Sequence, residues 1–379
     1  MVKLEINKEK KEMLCVIFSC IAVWFAVWAF SGQFPWAANP YNSYVLQAKA
    51  WLSGHTDLGR NYDYLELAIY KGKYFVSFPP IPSVLVLPFV LAHIPDGFAE
   101  LLISLLSAVY VLKLCRKCNA QNPIFWTLFL LLGTNVLTVS VSPWVWFIAQ
   151  NAAFLFTVMS IYYAAEKRSV PSLLCWALAI GCRPFQIVYL PLLLYIMEIK
   201  SVNQLLHSLI LPAIIAAAYM LYNYIRFDSV FEFGHNYLPE FTEAEHGQFH
   251  ISYMAENLKS LIRLPHFASD GRLVFPQFNG MSVFLCFPII FSCIFRTPSD
   301  KKAALLGIIT AAVQLALITS HRTMGGFHFG NRYCIDVMPC IFYMLLSAKN
   351  TRPSYIEYPL FLFGLAINAV GITLMFLNA

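Results

Sequence analysis

Long apolar runs follow one another along almost the whole chain, separated by short polar connections. They lie at about residues 14–31, 97–115, 124–141, 147–165, 170–182, 185–198, 205–225, 281–295, 303–320, 333–348 and 356–377. A run of ~18 or more mostly apolar residues can cross a ~30 Å hydrocarbon core as a helix. The pattern predicts an all-α, polytopic transmembrane helix bundle of about eleven spans, forming a single integral membrane domain over residues 1–379.

Composition supports a membrane protein. Hydrophobic residues make up 59% of the 379 residues and charged residues only 12%, whereas about a quarter of a soluble domain is charged. The net charge of +6 comes from short basic loops between the apolar runs. Nucleic acid is therefore not an expected partner, while membrane lipids are.

Positive charge in the short loops predicts the orientation, because cytoplasmic loops are enriched in Lys and Arg. If every run crosses, the basic residues of the short loops fall on one side: Arg116, Lys117, Lys167, Arg168, Lys200, Arg296, Lys301, Lys302, Lys349 and Arg352. The chain is then a multi-pass protein of the cell membrane with a cytoplasmic N-terminus and an extracytoplasmic C-terminus. Two long loops, 32–80 and 226–280, are extracytoplasmic.

The segment "YKGKYFVSFPPIPSVLVLPF" (Tyr70–Phe89) is the apolar stretch that this orientation excludes as a span. If Pro79–Pro95 crossed, every later basic loop would lie outside. Prolines at 79, 80, 82 and 88 remove backbone donors and interrupt helix geometry. We therefore expect a non-helical segment that lies along the outer membrane surface or dips in and returns. It continues the first outer loop to residue 95, folds against the bundle and lines a cavity.

Four segments resemble a known class of membrane enzyme. They are "YKGKYFVSFPPIPSVLVLPF", "GCRPF" (Gly181–Phe185), "YNYIRFDSVFEFGHNY" (Tyr222–Tyr237) and "GGFHFGNRYCIDVMP" (Gly325–Pro339). In this order they resemble bacterial multi-spanning glycosyltransferases of the GT-C class, above all relatives of dolichyl-phosphate-mannose protein mannosyltransferases. The resemblance covers the chain from the first span to about Pro339.

The resemblance implies a GT-C fold and a sugar transfer at the outer face of the membrane. A polyprenyl-phosphate carrier would supply the sugar, and a hydroxyl of a glycan, lipid or protein acceptor would receive it, usually with inversion at the anomeric carbon. Such a reaction needs a carboxylate as general base. It also needs cations or hydrogen-bond donors on the departing phosphate.

The first outer loop provides the predicted bases. Relatives that resemble this chain often carry an acidic residue at the position of Glu66, which we rank first, ahead of Asp57 and Asp63. Asn39 and Asn42 stand where many relatives have an aspartate. Because asparagine cannot act as a base, this departure leaves a catalytically inactive relative as one alternative.

Arginine is the best-suited phosphate ligand, because its planar fork matches two phosphate oxygens. The predicted phosphate-binding residues are Arg183, Arg332 and Arg226, followed by Lys71 and Lys73. The competing interpretation is interfacial snorkelling beside an aromatic belt. His321 and His328 flank Arg332, and histidines of such loops are usually exposed.

Metal and nucleotide sites are not indicated. "CRKC" (Cys115–Cys118) has the spacing of half a zinc site, but no second Cys/His pair lies near it. No nucleotide-binding motif occurs in the sequence, so no cofactor is expected, while a divalent-metal requirement stays open. A transporter or lipid-carrier flippase is the remaining alternative, although charge is scarce at mid-depth in the runs.

Overall fold

The computed structural model describes residues 2–378, with side chains from Lys8 onward. Its helices, in chain order, are α1 (Val2–Ser31), α2 (Ser43–Leu52), α3 (Ile81–Leu91), α4 (Gly97–Lys117), α5 (Pro123–Leu132), α6 (Val136–Val139), α7 (Val145–Ala165), α8 (Ser169–Ile180), α9 (Leu190–Met197), α10 (Val202–Phe227), α11 (Pro239–Thr242), α12 (Met254–Ser260), α13 (Val283–Cys286), α14 (Ile290–Ile294), α15 (Lys301–Ser320), α16 (Met338–Leu346) and α17 (Glu357–Leu377). Short 3-10 helices cover Pro184–Tyr189, His235–Tyr237, Ile251–Tyr253 and Arg332–Val337. The strands are β1 (Leu67–Tyr70), β2 (Lys73–Val76), β3 (His266–Phe267) and β4 (Leu273–Val274).

The molecule is a multi-pass membrane protein. Within residues 2–378, six helices are long and apolar enough to cross a membrane: α1 from Lys8 onward, α4, α7, α10, α15 and α17. The other predicted runs form shorter or interrupted helices: α5 with α6, α8, α9 with the 3-10 helix before it, α13 with α14, and α16 with the 3-10 helix before it. The helical architecture is confirmed, and the total of about eleven crossings stays a prediction.

Helix α7 forms the centre of the bundle. Of its most apolar stretch 83% is buried, against 17% in α10 and 28% in α1. It packs against α4 on one side and α8 on the other. Because α1 and α10 keep most of their apolar surface exposed, these two helices face lipid.

Two small antiparallel sheets accompany the helices. Strands β1 and β2 pair from Leu67 opposite Val76 to Tyr70 opposite Lys73, and β3 pairs with β4. Lys71 and Gly72 connect the first pair with positive φ angles of 47° and 74°. A two-residue type I′ turn requires positive φ at both central positions, so "LAIYKGKYFV" folds as a hairpin.

The proline-rich segment is helical, which corrects the expected non-helical backbone. Helix α3 begins directly after Pro80, and Pro82 lies in its first turn, where no backbone donor is needed. Pro88 is tolerated inside the helix. With eleven residues, α3 rises only ~16 Å, about half of a hydrocarbon core, and its interfacial position stays a prediction.

The two long loops lie at one end of the bundle, here called the loop end. At the other end, Arg296 donates from Nη2 to both carboxylate oxygens of Glu357, at 2.6 and 2.7 Å. Its Nη1 donates to the carbonyl oxygen of Asn350 at 2.6 Å. Only 9% and 6% of the two charged side chains are exposed. This ion pair connects Glu357, at the start of α17, to Arg296 in the chain after α14.

Candidate active site at the loop end

A cavity of about 230 Å³ opens at the loop end. Its walls come from the first long loop, from the "GCRPF" connection after α8, from the second long loop, and from the chain after α15. Arg183 and Arg332 both line it. Two of the predicted phosphate ligands, 149 positions apart in the sequence (332 minus 183), therefore meet at one cavity.

Arg332 is a buried cation with free hydrogen-bonding capacity. It is 2% exposed, and its Nη2 donates to the carbonyl oxygen of Gly325 at 2.8 Å. Within the described residues its Nε and Nη1 have no hydrogen-bond partner, and no carboxylate lies within 4.0 Å of the guanidinium. Because burying a charge without a close counter-charge is unfavourable, this guanidinium is a candidate partner for an anionic group.

Gly325 makes this arrangement possible. Its φ is +106°, and a Cβ there would lie 2.9 Å from Nε of Arg332. A side chain at this position would displace the guanidinium, which only glycine can approach so closely.

Arg183 is held differently. Its Nε and Nη2 donate to Oδ2 of Asp336 at 3.1 and 2.9 Å, and the Asp336 carboxylate is almost fully buried. The ring of Tyr333 contacts both guanidinium groups, with its centroid 4.5 Å from Cζ of Arg183 and 4.7 Å from Cζ of Arg332. These two cation–π contacts position both cations against one ring. Asp336 was not predicted from the sequence, because it lies inside the apolar run at 333–348.

Glu66, ranked first as base, lies beside the cavity wall and does not line the cavity. Its Oε2 accepts a hydrogen bond from Nε1 of Trp146 at 3.0 Å, and Trp146 itself lines the cavity. Burial raises the pKa of Glu66 above its ordinary value, and the hydrogen bond from Trp146 works in the opposite direction. The residue still keeps an exposed surface.

The other predicted acids and lysines lie outside the cavity lining. Lys73 pairs with Asp57 at 3.4 Å, and Lys71 pairs with Asp228 at 2.6 Å. Asp63 is exposed and accepts a hydrogen bond from the side chain of Asn61. The structure therefore places Lys71 and Lys73 in surface ion pairs of the β1–β2 hairpin, away from the arginine pair.

Arg226 is buried as well, at 2% exposure, but it also lies outside the cavity lining. Its Nη1 donates to the carbonyl oxygen of Val76 at 2.9 Å, and its Nη2 donates to Oδ1 of Asn223 at 3.1 Å. These bonds join the end of α10 to β2. Arg226 thus connects the two long loops, and its predicted role as a phosphate ligand stays a prediction.

The loop histidines are buried, contrary to the expectation of exposure. His321 is 4% exposed and His328 is 0% exposed. Nδ1 of His321 lies 2.7 Å from the carbonyl oxygen of Thr323, and Nδ1 of His235 lies 3.1 Å from that of Ser77. Since a carbonyl only accepts, Nδ1 of His235 carries the hydrogen, whereas Nδ1 of His321 also faces the backbone N–H of Thr323 at 3.1 Å. Burial lowers the pKa of His235 to about 4 and of His321 to about 3.

These neutral histidines predict acid sensitivity. The unfolded chain protonates them near pH 6.5, while the folded protein does not protonate His235 until about pH 4. Between pH 6.5 and about pH 4 the unfolded state therefore binds more protons than the folded state, and stability falls as pH falls. Each such histidine contributes a loss of up to about 1.4 kcal/mol per pH unit. We expect His235→Gln to flatten the decline of the unfolding temperature between pH 7 and pH 5. A slope equal to that of the wild type would contradict this.

Glu232 is a cavity residue that the sequence analysis did not select. It lines the cavity together with both arginines. Its Oε1 accepts from the backbone N–H of Gly234 at 2.6 Å, and its Oε2 accepts from Nδ2 of Asn236 at 2.8 Å. Among the described side chains, from Lys8 to Asn378, no three His, Cys, Asp or Glu residues are grouped so as to hold a metal ion.

Comparisons with known proteins point to one fold. No protein-family model and no curated protein matches the sequence. The crystal structure of ArnT from Cupriavidus metallidurans in the apo state matches 95% of this chain with a TM-score of 0.55 and 14% identity. The same protein bound to undecaprenyl phosphate matches 93% of this chain with a TM-score of 0.54 and 13% identity.

The chain has an ArnT-like fold. ArnT is a GT-C glycosyltransferase, so the predicted GT-C type of fold is confirmed. The chain spans 63% of the length of the ArnT chain. The more specific likeness to relatives of dolichyl-phosphate-mannose protein mannosyltransferases stays a prediction.

Proposed function

We propose that this protein is a membrane glycosyltransferase that takes a sugar from a polyprenyl-phosphate carrier and passes it to an acceptor hydroxyl. The reaction would take place in the loop-end cavity, on the extracytoplasmic face of the membrane. One observation carries the proposal. Arg332 is buried at the cavity with two hydrogen-bonding atoms left without a partner, and a phosphate would supply the missing negative charge.

The chemistry follows from the placement of the arginine pair. As the bond between the anomeric carbon and the phosphate oxygen breaks, negative charge accumulates on the phosphate. Donors already aimed at that charge stabilise the transition state without reorganisation. Arg332 would be the main donor. Arg183, whose charge is shared with Asp336, would add a second cation held in place by Tyr333.

An adjacent apolar groove supports a lipid carrier. The groove measures about 430 Å³, and its lining includes Pro80, Ile81, Ile215 and Tyr219. Pro79, the neighbour of Pro80, lines the polar cavity. A phosphate in the cavity and the first carbons of its lipid tail in the groove would thus lie on either side of one short stretch of chain. ArnT, the protein of similar fold, has been crystallised with undecaprenyl phosphate.

Ligand-dependent stability tests this function. We expect undecaprenyl phosphate to raise the unfolding temperature of the purified protein in detergent, because a ligand that binds only the folded state stabilises it by mass action. Undecaprenol has the same tail without the phosphate and is the matched control. Equal shifts with both lipids, or no shift with either, would refute recognition of the phosphate.

A flippase would bind the same lipid but move it between leaflets. A translocation assay in sealed vesicles distinguishes the two functions, and we expect no movement of the lipid. An inactive relative would bind the lipid and transfer nothing. Comparing envelope glycans of a deletion strain with those of its parent distinguishes that case, and we expect a glycan to be missing from the deletion strain.

A further inference from the structure

We propose that Glu232, in the second long loop, is the general base of the transfer reaction. This inference rests on the glycosyltransferase function proposed above. In the step, the acceptor oxygen bonds to the anomeric carbon as the bond from that carbon to the phosphate oxygen breaks. The electron pair of the broken bond leaves with the phosphate, and the acceptor proton moves to the Glu232 carboxylate. The products are the glycosylated acceptor, the polyprenyl phosphate and a protonated Glu232, which returns its proton to water.

Location is the first argument. Among the acidic residues that the structure describes, Glu232 alone lines the cavity that Arg183 and Arg332 also line. A general base must come within hydrogen-bond reach of the proton that it removes. With the phosphate on the arginines, the acceptor has to enter the same cavity, and Glu232 is the carboxylate that it meets there.

The orientation of the carboxylate is the second argument. Each oxygen of Glu232 accepts one hydrogen bond, from Gly234 N and from Nδ2 of Asn236. Donors to both oxygens fix the orientation of the group. A carboxylate oxygen has room for more than one donor, so each can still accept an acceptor hydroxyl.

The local backbone is suited to this arrangement. Gly234 has a φ of +103°, and a Cβ there would lie 2.6 Å from the ring of Phe227. Glycine therefore lets the chain turn back so that its own N–H reaches the Glu232 carboxylate two residues earlier. The turn places the donor by backbone geometry, which does not depend on a flexible side chain.

The first-loop acids are placed less favourably. Glu66 contacts Trp146 beside the cavity, and Asp57 is paired with Lys73.

Asn39, which stands where many relatives have an aspartate, makes structural hydrogen bonds. Asn39 donates from Nδ2 to Asp96 at 2.6 Å and to the carbonyl oxygen of Pro143 at 2.8 Å, which is a structural role. A base in the second loop removes the need for an aspartate at position 39 or 42.

The test compares amide variants of three glutamates. Glu232→Gln keeps the size of the side chain, and Asn236 can rotate its amide to preserve the contact. Glu256→Gln is the matched control, because Glu256 lies in the same loop, exposed and paired with Lys259. Glu66→Gln tests the competing base. Each variant is expressed in a deletion strain, where the rate of envelope glycan formation is measured, and each is purified for binding of undecaprenyl phosphate.

We expect Glu232→Gln to lower the rate at least about 100-fold, the lower range for loss of a general base, with binding of undecaprenyl phosphate within twofold of wild type. Glu256→Gln should match the wild type in both measurements. Wild-type rates in Glu232→Gln would overturn the inference, and so would loss of lipid binding in that variant, which would indicate a structural role. A large loss confined to Glu66→Gln would assign the base to Glu66. Failure of the wild-type gene itself to restore a glycan would refute the proposed function before any variant is compared.

Discussion

Replacing Arg332 with Met is expected to abolish binding of undecaprenyl phosphate while leaving the unfolding temperature unchanged or raised. The two effects have opposite signs because Arg332 is a buried cation without a carboxylate partner in the described residues. Without ligand, burial of this unpaired charge destabilises the folded state. With ligand, its free Nε and Nη1 can each donate to the phosphate. Charge-assisted hydrogen bonds contribute about 1.5–3 kcal/mol each, so losing two corresponds to more than ~100-fold in affinity.

Arg226→Met is the matched control for this experiment. Both arginines are 2% exposed, but Arg226 donates to Val76 and Asn223 and lies outside the cavity. Its removal leaves buried acceptors without donors, so we expect a lower unfolding temperature. Titration of each variant with undecaprenyl phosphate, beside a thermal unfolding curve, gives both quantities. Wild-type affinity in Arg332→Met, or a loss of stability as large as in Arg226→Met, would contradict the assignment.

Replacing Arg296 with Met is expected to destabilise the protein by about 3–5 kcal/mol, the usual effect of removing one partner from a buried ion pair. The Glu357 carboxylate would stay buried at 6% exposure without its counter-charge, and the carbonyl oxygen of Asn350 would lose its donor. Denaturant unfolding in mixed micelles measures the effect.

Two comparisons make this prediction specific. The double variant Arg296→Met/Glu357→Leu removes both charges and should recover most of the loss, because an apolar pair often replaces a buried ion pair with little loss of stability. Glu198→Gln breaks the exposed pair with Lys167, whose side chains are 70% and 47% accessible, and should leave the stability close to that of the wild type. Equal losses at the buried and the exposed pair would contradict the prediction.

The helices were predictable from the sequence because hydropathy is a local property. Helical segments occur within each of the eleven predicted runs, and the fold type implied by the four segments is the one found. The β1–β2 hairpin was not predicted, because Lys71-Gly72 is not one of the dipeptides, such as Asn-Gly or Asp-Gly, that mark a two-residue hairpin turn. Its flanking residues, "LAIY" and "KYFV", also do not alternate strictly between apolar and polar.

The candidate site was only partly predictable, because its decisive contacts join distant parts of the chain. Arg183 and Arg332 were selected as candidates from residue chemistry alone, and only the structure places both at one cavity. The pairing of Arg183 with Asp336, 153 residues away, could not be predicted, since nothing near Asp336 indicates a partner. Arg226 has the same chemistry as Arg332, and only the structure shows its bond to Val76. Burial of His321 likewise depends on packing between loops.

The hydrogen bond from Arg226 to Val76 of β2 restricts which segments can be exchanged between proteins of this fold. It joins the hairpin of the first long loop to the start of the second, and the Lys71–Asp228 pair reinforces the junction. Chimaeras would therefore have to exchange residues 67–76 and 226–236 as a matched set. A chimaera that exchanged only one of the two segments would break both contacts at this junction.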